Sequence, residues 1–418
     1  MSYKSSDSSP RHRKNRLVEN VLILQGGGSL GAFSCGVFKA LVKEQIKIDV
    51  IAGTSIGAIN AAIIAGSKSG HPEIDLENFW LELAESSHEI IPDSYFFFYN
   101  WLKLQFEHQK FSSASTNAAI YGVPKMFLPR WNPTYMFQDE DYFKPRNWTY
   151  LYDNTPLVNT LKKYIDYQRL TPDALQSNDT SKIIAHALRL IITSVNVLTA
   201  EPLVFDSLHM PITSKHLLAS SGYPNYGFPW TELEEGVYGW DGSLLSNTPV
   251  REVITASSRN DKNIFIVENY SRKIDRLPSN MTEVLDRAKD IMFSDKTQHS
   301  IKMTKIMTRQ IRLIEQLYEY FEKSEEMKML RDKDTKFDFI SPDEIESIRK
   351  EYKKLVHNRG AEILSVTRIL RNRIENPNVS KNADFSVKMV KQLITEGEQK
   401  ALKSIKEFKT INEYDNRM

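Results

Sequence analysis

Two neighbouring stretches, "VLILQGGGSLGAF" at residues 21–33 and "IAGTSIGAIN" at 51–60, decide the fold. In each, a short apolar run closes on glycine and opens into an apolar helix-like segment, with Phe33, Val37, Phe38, Leu41 and Val42 at helical spacing in the first. Short apolar runs bounded by glycine suit strands buried on both faces of a parallel sheet, so residues up to about 65 read strand, helix, strand, helix. The pattern Gly26-x-Gly28-x-x-Gly31 meets the minimal dinucleotide fingerprint. A dinucleotide site also needs an acidic residue closing the second strand to hold a ribose, and that strand ends in Gly53-Thr54-Ser55, with Asp49 ahead of it. What remains is a loop of backbone amides at a helix N-terminus, which suits an oxyanion as well as a phosphate.

Gly53-x-Ser55-x-Gly57 at a strand-to-helix turn has the form of a nucleophile elbow, in which small residues permit a sharp turn that exposes the serine. The glycine loop of the adjoining strand then lies beside Ser55 at the carboxyl edge of the sheet. There its amides can hold the negative oxygen formed when the serine attacks a carbonyl. The serine also needs a base. His186, His209 and His216 precede the acidic candidates, and His299 and His357, which follow them, fall in a charged helical tail, so none reads as the histidine of a Ser-Asp-His triad. Asp241, in "YGWDGSLLSNTP" between Trp240 and Gly242, is the better candidate, because burial among Tyr238 and Trp240 raises a carboxyl pKa toward a useful range for a base.

Outward from these motifs, 418 residues exceed one hydrophobic core, and a large domain with an appended module is expected. Residues 1–16 read as a disordered tail, 17–280 as the catalytic domain and 281–418 as a helical C-terminal extension of solvated charged faces without chemistry. Residues 88–155, with "SYFFFYNWLKLQF", read as an aromatic-rich insertion, either a private core or an acyl-binding wall or lid. A net charge of +2 gives no electrostatic case for a polyanion, so no nucleic acid partner is expected. The single cysteine, Cys35, excludes an intramolecular disulfide and reads as a buried apolar residue. No His, Cys or carboxylate group has metal-ligand spacing, "DKDTKFD" at 332–338 lacks a calcium loop's glycine and glutamate, and no cofactor is expected. With no apolar run long enough to span a bilayer, a cytoplasmic protein is expected, at most peripheral to a membrane.

Together, "LQGGGSLGAF", "GTSIGAINAA", "LLASSGYP" and "WDGSLLSNTP" resemble the patatin-like phospholipases, over roughly 20–66 and 190–270, and the tail after 281 is similar to the extension of one bacterial branch of that family. The resemblance implies an α/β fold of three layers with a mostly parallel sheet flanked by helices. It implies acyl hydrolysis of lipid esters by a dyad, with Ser55 as nucleophile and Asp241 as base. It also implies that Gly26, Gly27, Gly28 and Ser29 form the oxyanion hole and that Gly31, Gly53, Gly57 and Gly242 are motif glycines. Two positions depart from the family pattern: Leu30 stands where many members carry Arg or Lys, and Ser243 follows Asp241-Gly242 where Gly or Ala is usual. A thioesterase or hydroxyacid-polymer depolymerase would use the same dyad, and a nucleotide-binding or scaffold protein could keep the fold without chemistry.

Overall fold

The computed structural model describes residues 17–87, 113–176, 188–256, 260–294, 297–330, 341–359, 363–372 and 381–415. In chain order the elements begin with β1 (Val18–Leu24), α1 (Ala32–Lys43), β2 (Val50–Thr54), α2 (Ile56–Ala65) and α3 (Pro72–Ser86). Then come α4 (Ser113–Tyr121), β3 (Leu128–Pro129), β4 (Tyr152–Asp153), α5 (Pro156–Tyr164) and α6 (Pro172–Gln176). The middle of the chain supplies β5 (Arg189–Asn196), β6 (Pro202–Asp206), α7 (Ser214–Ser221), β7 (Thr231–Glu234), β8 (Val237–Asp241), α8 (Val250–Ala256) and β9 (Asp261–Glu268). The last part holds α9 (Met281–Phe293), α10 (Thr297–Leu330), α11 (Pro342–Arg359), β10 (Ile363–Leu370) and α12 (Val387–Asp415).

The strands form a mixed sheet in the order β10-β9-β1-β2-β5-β8-β7, with β6 also paired to β5. Its centre is parallel, β1 on β2 from Val21↔Val50 to Leu24↔Gly53 and β2 on β5 from Val50↔Arg189 to Thr54↔Thr193. Beyond β5 the pairing turns antiparallel, with β6 and β8 on β5 and β7 on β8. The fold class is therefore α/β, as the alternating motifs predict. All five residues of β2 and all ten of α2 are buried, which is why these segments lack an amphipathic pattern.

The chain packs as two units, one of Asn20–Pro249, Ile264–Lys296 and Thr367–Met418, the other of Met1–Glu19, Val250–Asn263 and Thr297–Val366. The stretch 281–418, expected as one helical extension, is divided between them, and it contains a strand, β10, whose apolar run "ILSVTRIL" is interrupted by Arg368 and gives little sequence signal. In the larger unit α12 lies against α1 at glycine distance. A Cβ built on Gly36 would fall 1.8 Å from the Ile394 carbonyl oxygen, and one on Gly397 2.1 Å from that of Phe33. Neither helix could approach so closely with any side chain at these two positions. In the smaller unit α10 and α11 are joined by Tyr318 stacked on Tyr352, with centroids 3.7 Å apart, and by Arg349 forked onto Glu322 at 2.9 and 3.1 Å.

The expected tail at 1–16 and the aromatic run at 94–106 lie outside the described residues. Of the rest of the expected insertion, Phe127 makes edge contacts with Tyr152 and Phe228, both with centroids 5.3 Å away, so these aromatics pack on one another.

Candidate active site

Ser55 occupies the turn between β2 and α2 with φ 58° and ψ −130°, a conformation a non-glycine residue adopts only under constraint. The constraint is visible on both sides of it. A Cβ on Gly53 would meet the Gly57 carbonyl oxygen at 2.2 Å, and one on Gly57 would meet that of Leu24 at 2.2 Å, so α2 is folded down hard on β2 and β1. The Ser55 amide donates to the Ser220 hydroxyl at 3.0 Å, and that hydroxyl donates to the Thr193 carbonyl at 2.7 Å, pinning the turn to β5. Ser220 was not singled out in the sequence; its only signal there was its place in "LLASSGYP".

Strand β5 also brings the carboxylate. On one side Thr54 pairs with Thr193, and on the other Asp241 pairs with Ser194, one residue further along. Ser55 and Asp241 thus end strands two positions apart in the sheet, a separation of roughly 10 Å at the backbone, and they reach toward each other across β5. Gly242 permits this, since a Cβ there would lie 2.8 Å from the Thr193 carbonyl oxygen. The Asp241 carboxylate accepts the Ser243 amide at 2.8 Å and lines the same cavity as Ser55. Asp241 is 1% exposed, and burial pushes its pKa up to about 6 against the opposing pull of the neighbouring Ser55 and Ser243.

The source of that burial differs from the sequence expectation. Tyr238 and Trp240 stand three and one residues before Asp241 in β8, so the two-residue period turns them to the opposite face, where Trp240 meets Trp230. The aromatics near enough to sense the Asp241 charge are Tyr223, Tyr226 and Tyr270, each with its phenol pKa raised chiefly by burial.

The glycine loop divides its expected duties. Gly27 and Gly28 line a cavity of about 260 Å³ together with Ser55 and Asp241. The Gly26 amide donates to the Asn247 carbonyl at 3.3 Å, and the Ser29 hydroxyl to the Lys381 carbonyl at 3.3 Å. Gly28 has φ +56°. Gln25, fully buried, ties the loop's base to Thr248, Phe293 and Asn269. The cavity wall is mostly apolar and includes Leu157 and Phe228 together with Ala118, Met126, Phe127 and Tyr152, so these last four, from the described part of the insertion, pack and line at once. It also takes Lys289, Phe293, Asn382, Ala383 and Phe385 from the stretch after 281, where no part in the site was expected. Amphipathic spacing alone could not distinguish these from a solvated face.

Neither described histidine side chain among the candidates competes with Asp241. His216 is buried on Phe205, accepts the Thr213 amide at the start of α7, and is held down to about 4 by burial, so it is neutral near pH 7. The His209 side chain is 68% exposed. His186 and the side chains of His299 and His357 lie outside the described residues.

A family model described as "Patatin-like phospholipase" matches residues 22–254, more than half of the chain and every element that carries the elbow, the glycine loop and Asp241. The chain belongs to the patatin-like phospholipase family. Among curated relatives, it is 54% identical over 44 residues to "Lysophospholipase nte1" of Aspergillus terreus, covering 10% of this chain and 3% of the relative. It is 40% identical over 72 residues to "Triacylglycerol lipase SDP1L" of Arabidopsis thaliana, covering 17% and 8%. The match thus spans less than a tenth of either relative. Among solved structures, this patatin-like chain aligns with VipD from Legionella pneumophila at 14% identity, covering 90% of this chain and 66% of that one, with a TM-score of 0.29. It aligns with ExoU in its complex with SpcU from Pseudomonas aeruginosa at 16% identity, covering 69% and 52%, with a TM-score of 0.27. No described helix is long and apolar enough to cross a membrane.

Proposed function

We propose that the protein is a serine acyl hydrolase that cleaves carboxylic esters of lipids through the Ser55-Asp241 dyad. The observation that carries this is that Ser55, at a strained elbow, lines one cavity with Asp241, a carboxylate whose pKa burial pushes up to about 6. Asp241 takes the hydroxyl proton as Ser55 Oγ attacks the ester carbonyl. The oxygen of the tetrahedral intermediate points at the amides of the Gly27-Gly28 turn, aided by the N-terminus of α1. As the intermediate collapses, the C–O bond to the alcohol breaks and the alkoxide takes the proton from Asp241. Water, deprotonated by Asp241, then attacks the acyl-serine, and Ser55 recovers its proton as the fatty acid leaves.

An apolar wall of this size suits an acyl chain. The half-buried ammonium of Lys289 in the same cavity supports a substrate with an anionic headgroup, a phospholipid before a neutral glyceride. A polyester depolymerase needs no such cation. The deciding experiment treats the purified chain with a fluorophosphonate probe and measures release of fatty acid from phospholipid, triacylglycerol and acyl-thioester panels. The wild type is labelled and releases fatty acid, and Ser55→Ala does neither while keeping its melting temperature. Undiminished turnover by folded Ser55→Ala overturns the proposal, and preferred thioester cleavage moves the substrate class.

A further inference from the structure

The Lys381 side chain is nearly buried, and its ammonium sits between two carboxylates of α9, at 2.8 Å from Asp286 and 2.6 Å from Asp290. Those aspartates are four residues apart, hence on one face of the helix, and are 2% and 1% exposed. A buried ion cluster of this kind is a poor source of stability, because the three charges lose most of their hydration and an apolar side chain of similar length would pack at less desolvation. Its value lies in direction. An ammonium between two fixed carboxylates has one place to be, and so does the backbone that bears it.

That backbone touches the glycine loop. The Lys381 carbonyl accepts the hydrogen bond of Ser29, a residue with no exposed surface, and the next carbonyl, of Asn382, lies 2.2 Å from where a Cβ on Gly28 would stand. The turn Lys381–Ala383 is therefore laid directly against Gly28 and Ser29, and two residues on, Phe385 stacks on Trp80 at 6.4 Å and closes the cavity wall. We propose that Lys381 is a positioning residue: its ammonium, gripped by Asp286 and Asp290, holds this turn on the glycine loop and so fixes the amides that receive the oxyanion. The proposal rests on the dyad reading given above. It makes the segment after residue 367 a working part of the site.

Because the oxyanion contact forms only in the transition state, a misplaced loop lowers kcat and leaves KM nearly unchanged, whereas a lost piece of wall raises KM. The test compares full-length Lys381→Met and Lys381→Arg with wild type on p-nitrophenyl butyrate, with melting temperature and the rate of fluorophosphonate inactivation alongside. Lys381→Met is expected to lower kcat at least about tenfold, below the hundredfold or more that follows loss of a whole oxyanion donor, with KM changed less than about threefold. Lys381→Arg is expected to recover most of the loss. A folded Lys381→Met with wild-type kcat, or with a raised KM alone, overturns the proposal. If Lys381→Met does not fold, Asp290→Asn, which keeps the shape and removes one grip, is read by the same criteria. Ser55→Ala is run in parallel: its retention of activity would sink the dyad reading itself, a result distinct from any outcome at Lys381.

Discussion

Asp241 and Ser55 line one cavity, the Asp241 carboxylate held by the Ser243 amide, and the whole arrangement hangs on one strand, β5, which pairs with β2 before the serine and with β8 at the aspartate. Two residues 186 positions apart in the chain become neighbours because Thr193 and Ser194 are consecutive.

The first prediction concerns that carboxylate. The base works ionised, so kcat/KM should fall as pH drops below about 6, with the slope of a single group. Asp241→Asn should reduce turnover at least about a hundredfold. Its effect on stability has the opposite sign. A folded pKa above the unfolded value of 3.8 means that the native state resists ionisation, so stability is greatest below the unfolded pKa and is lost as pH rises through about 6. Asp241→Asn escapes this loss. It should be more stable than wild type at pH 8, by up to about 3 kcal/mol for a shift of about two units, with the gap closing toward pH 4. Denaturant titrations at the two pH values read the difference, and an equal gap at both would contradict it.

A second prediction tests strain at the elbow. Alanine at position 55 keeps the cost of φ 58°, and glycine does not. Ser55→Gly should therefore be more stable than Ser55→Ala by about 1 kcal/mol, the reverse of the usual order, while both are inactive. Thermal melts of the two variants suffice.

Ser220 gives the third. Its hydroxyl is the pin between the Ser55 amide and the Thr193 carbonyl, and Ser220→Ala leaves both buried groups without it. A stability loss of about 1–3 kcal/mol is expected, with kcat lowered roughly tenfold and KM nearly constant. An unchanged kcat would show that the surrounding glycines alone set the turn.

The fourth concerns the headgroup. Burial, with a smaller contribution from Lys381, holds the Lys289 pKa below its ordinary value, so an anion brought into the cavity is favoured there. Lys289→Met should raise KM for a phospholipid roughly tenfold and leave p-nitrophenyl butyrate nearly unaffected. Equal effects on both substrates would assign Lys289 to packing alone.

The fifth lies at the crossing of α1 and α12. In a free helix Gly397→Ala would be stabilising by about 1 kcal/mol. Against the Phe33 carbonyl at 2.1 Å it should destabilise, by about 1–3 kcal/mol, and lower the melting temperature. A raised melting temperature would mean that the helices do not cross at this distance in solution.

The α/β class, the elbow at Ser55 and the glycine loop were legible in the sequence because each is a local matter. Buried parallel strands need unbroken apolar runs such as "VLIL", and a sharp strand-to-helix turn needs Gly53 and Gly57 within two residues of the serine. The sequence points to Asp241 only through motif and elimination, and it suggests the wrong aromatic neighbours: adjacent residues on a strand face opposite ways, so Tyr238 and Trp240 turn away from its side chain. Tyr223, Tyr226 and Tyr270 reach Asp241 through separate connections that no spacing records. The same holds for the stretch after 281, whose charges read as a solvated face. An amphipathic pattern states which side of a helix is apolar and is silent on which lysine meets two aspartates in the interior. Tertiary packing alone decided that Lys289 and Asn382 line the cavity, that Gly26 is engaged by Asn247, and that Lys381 stands behind the loop, because each depends on the meeting of segments hundreds of residues apart.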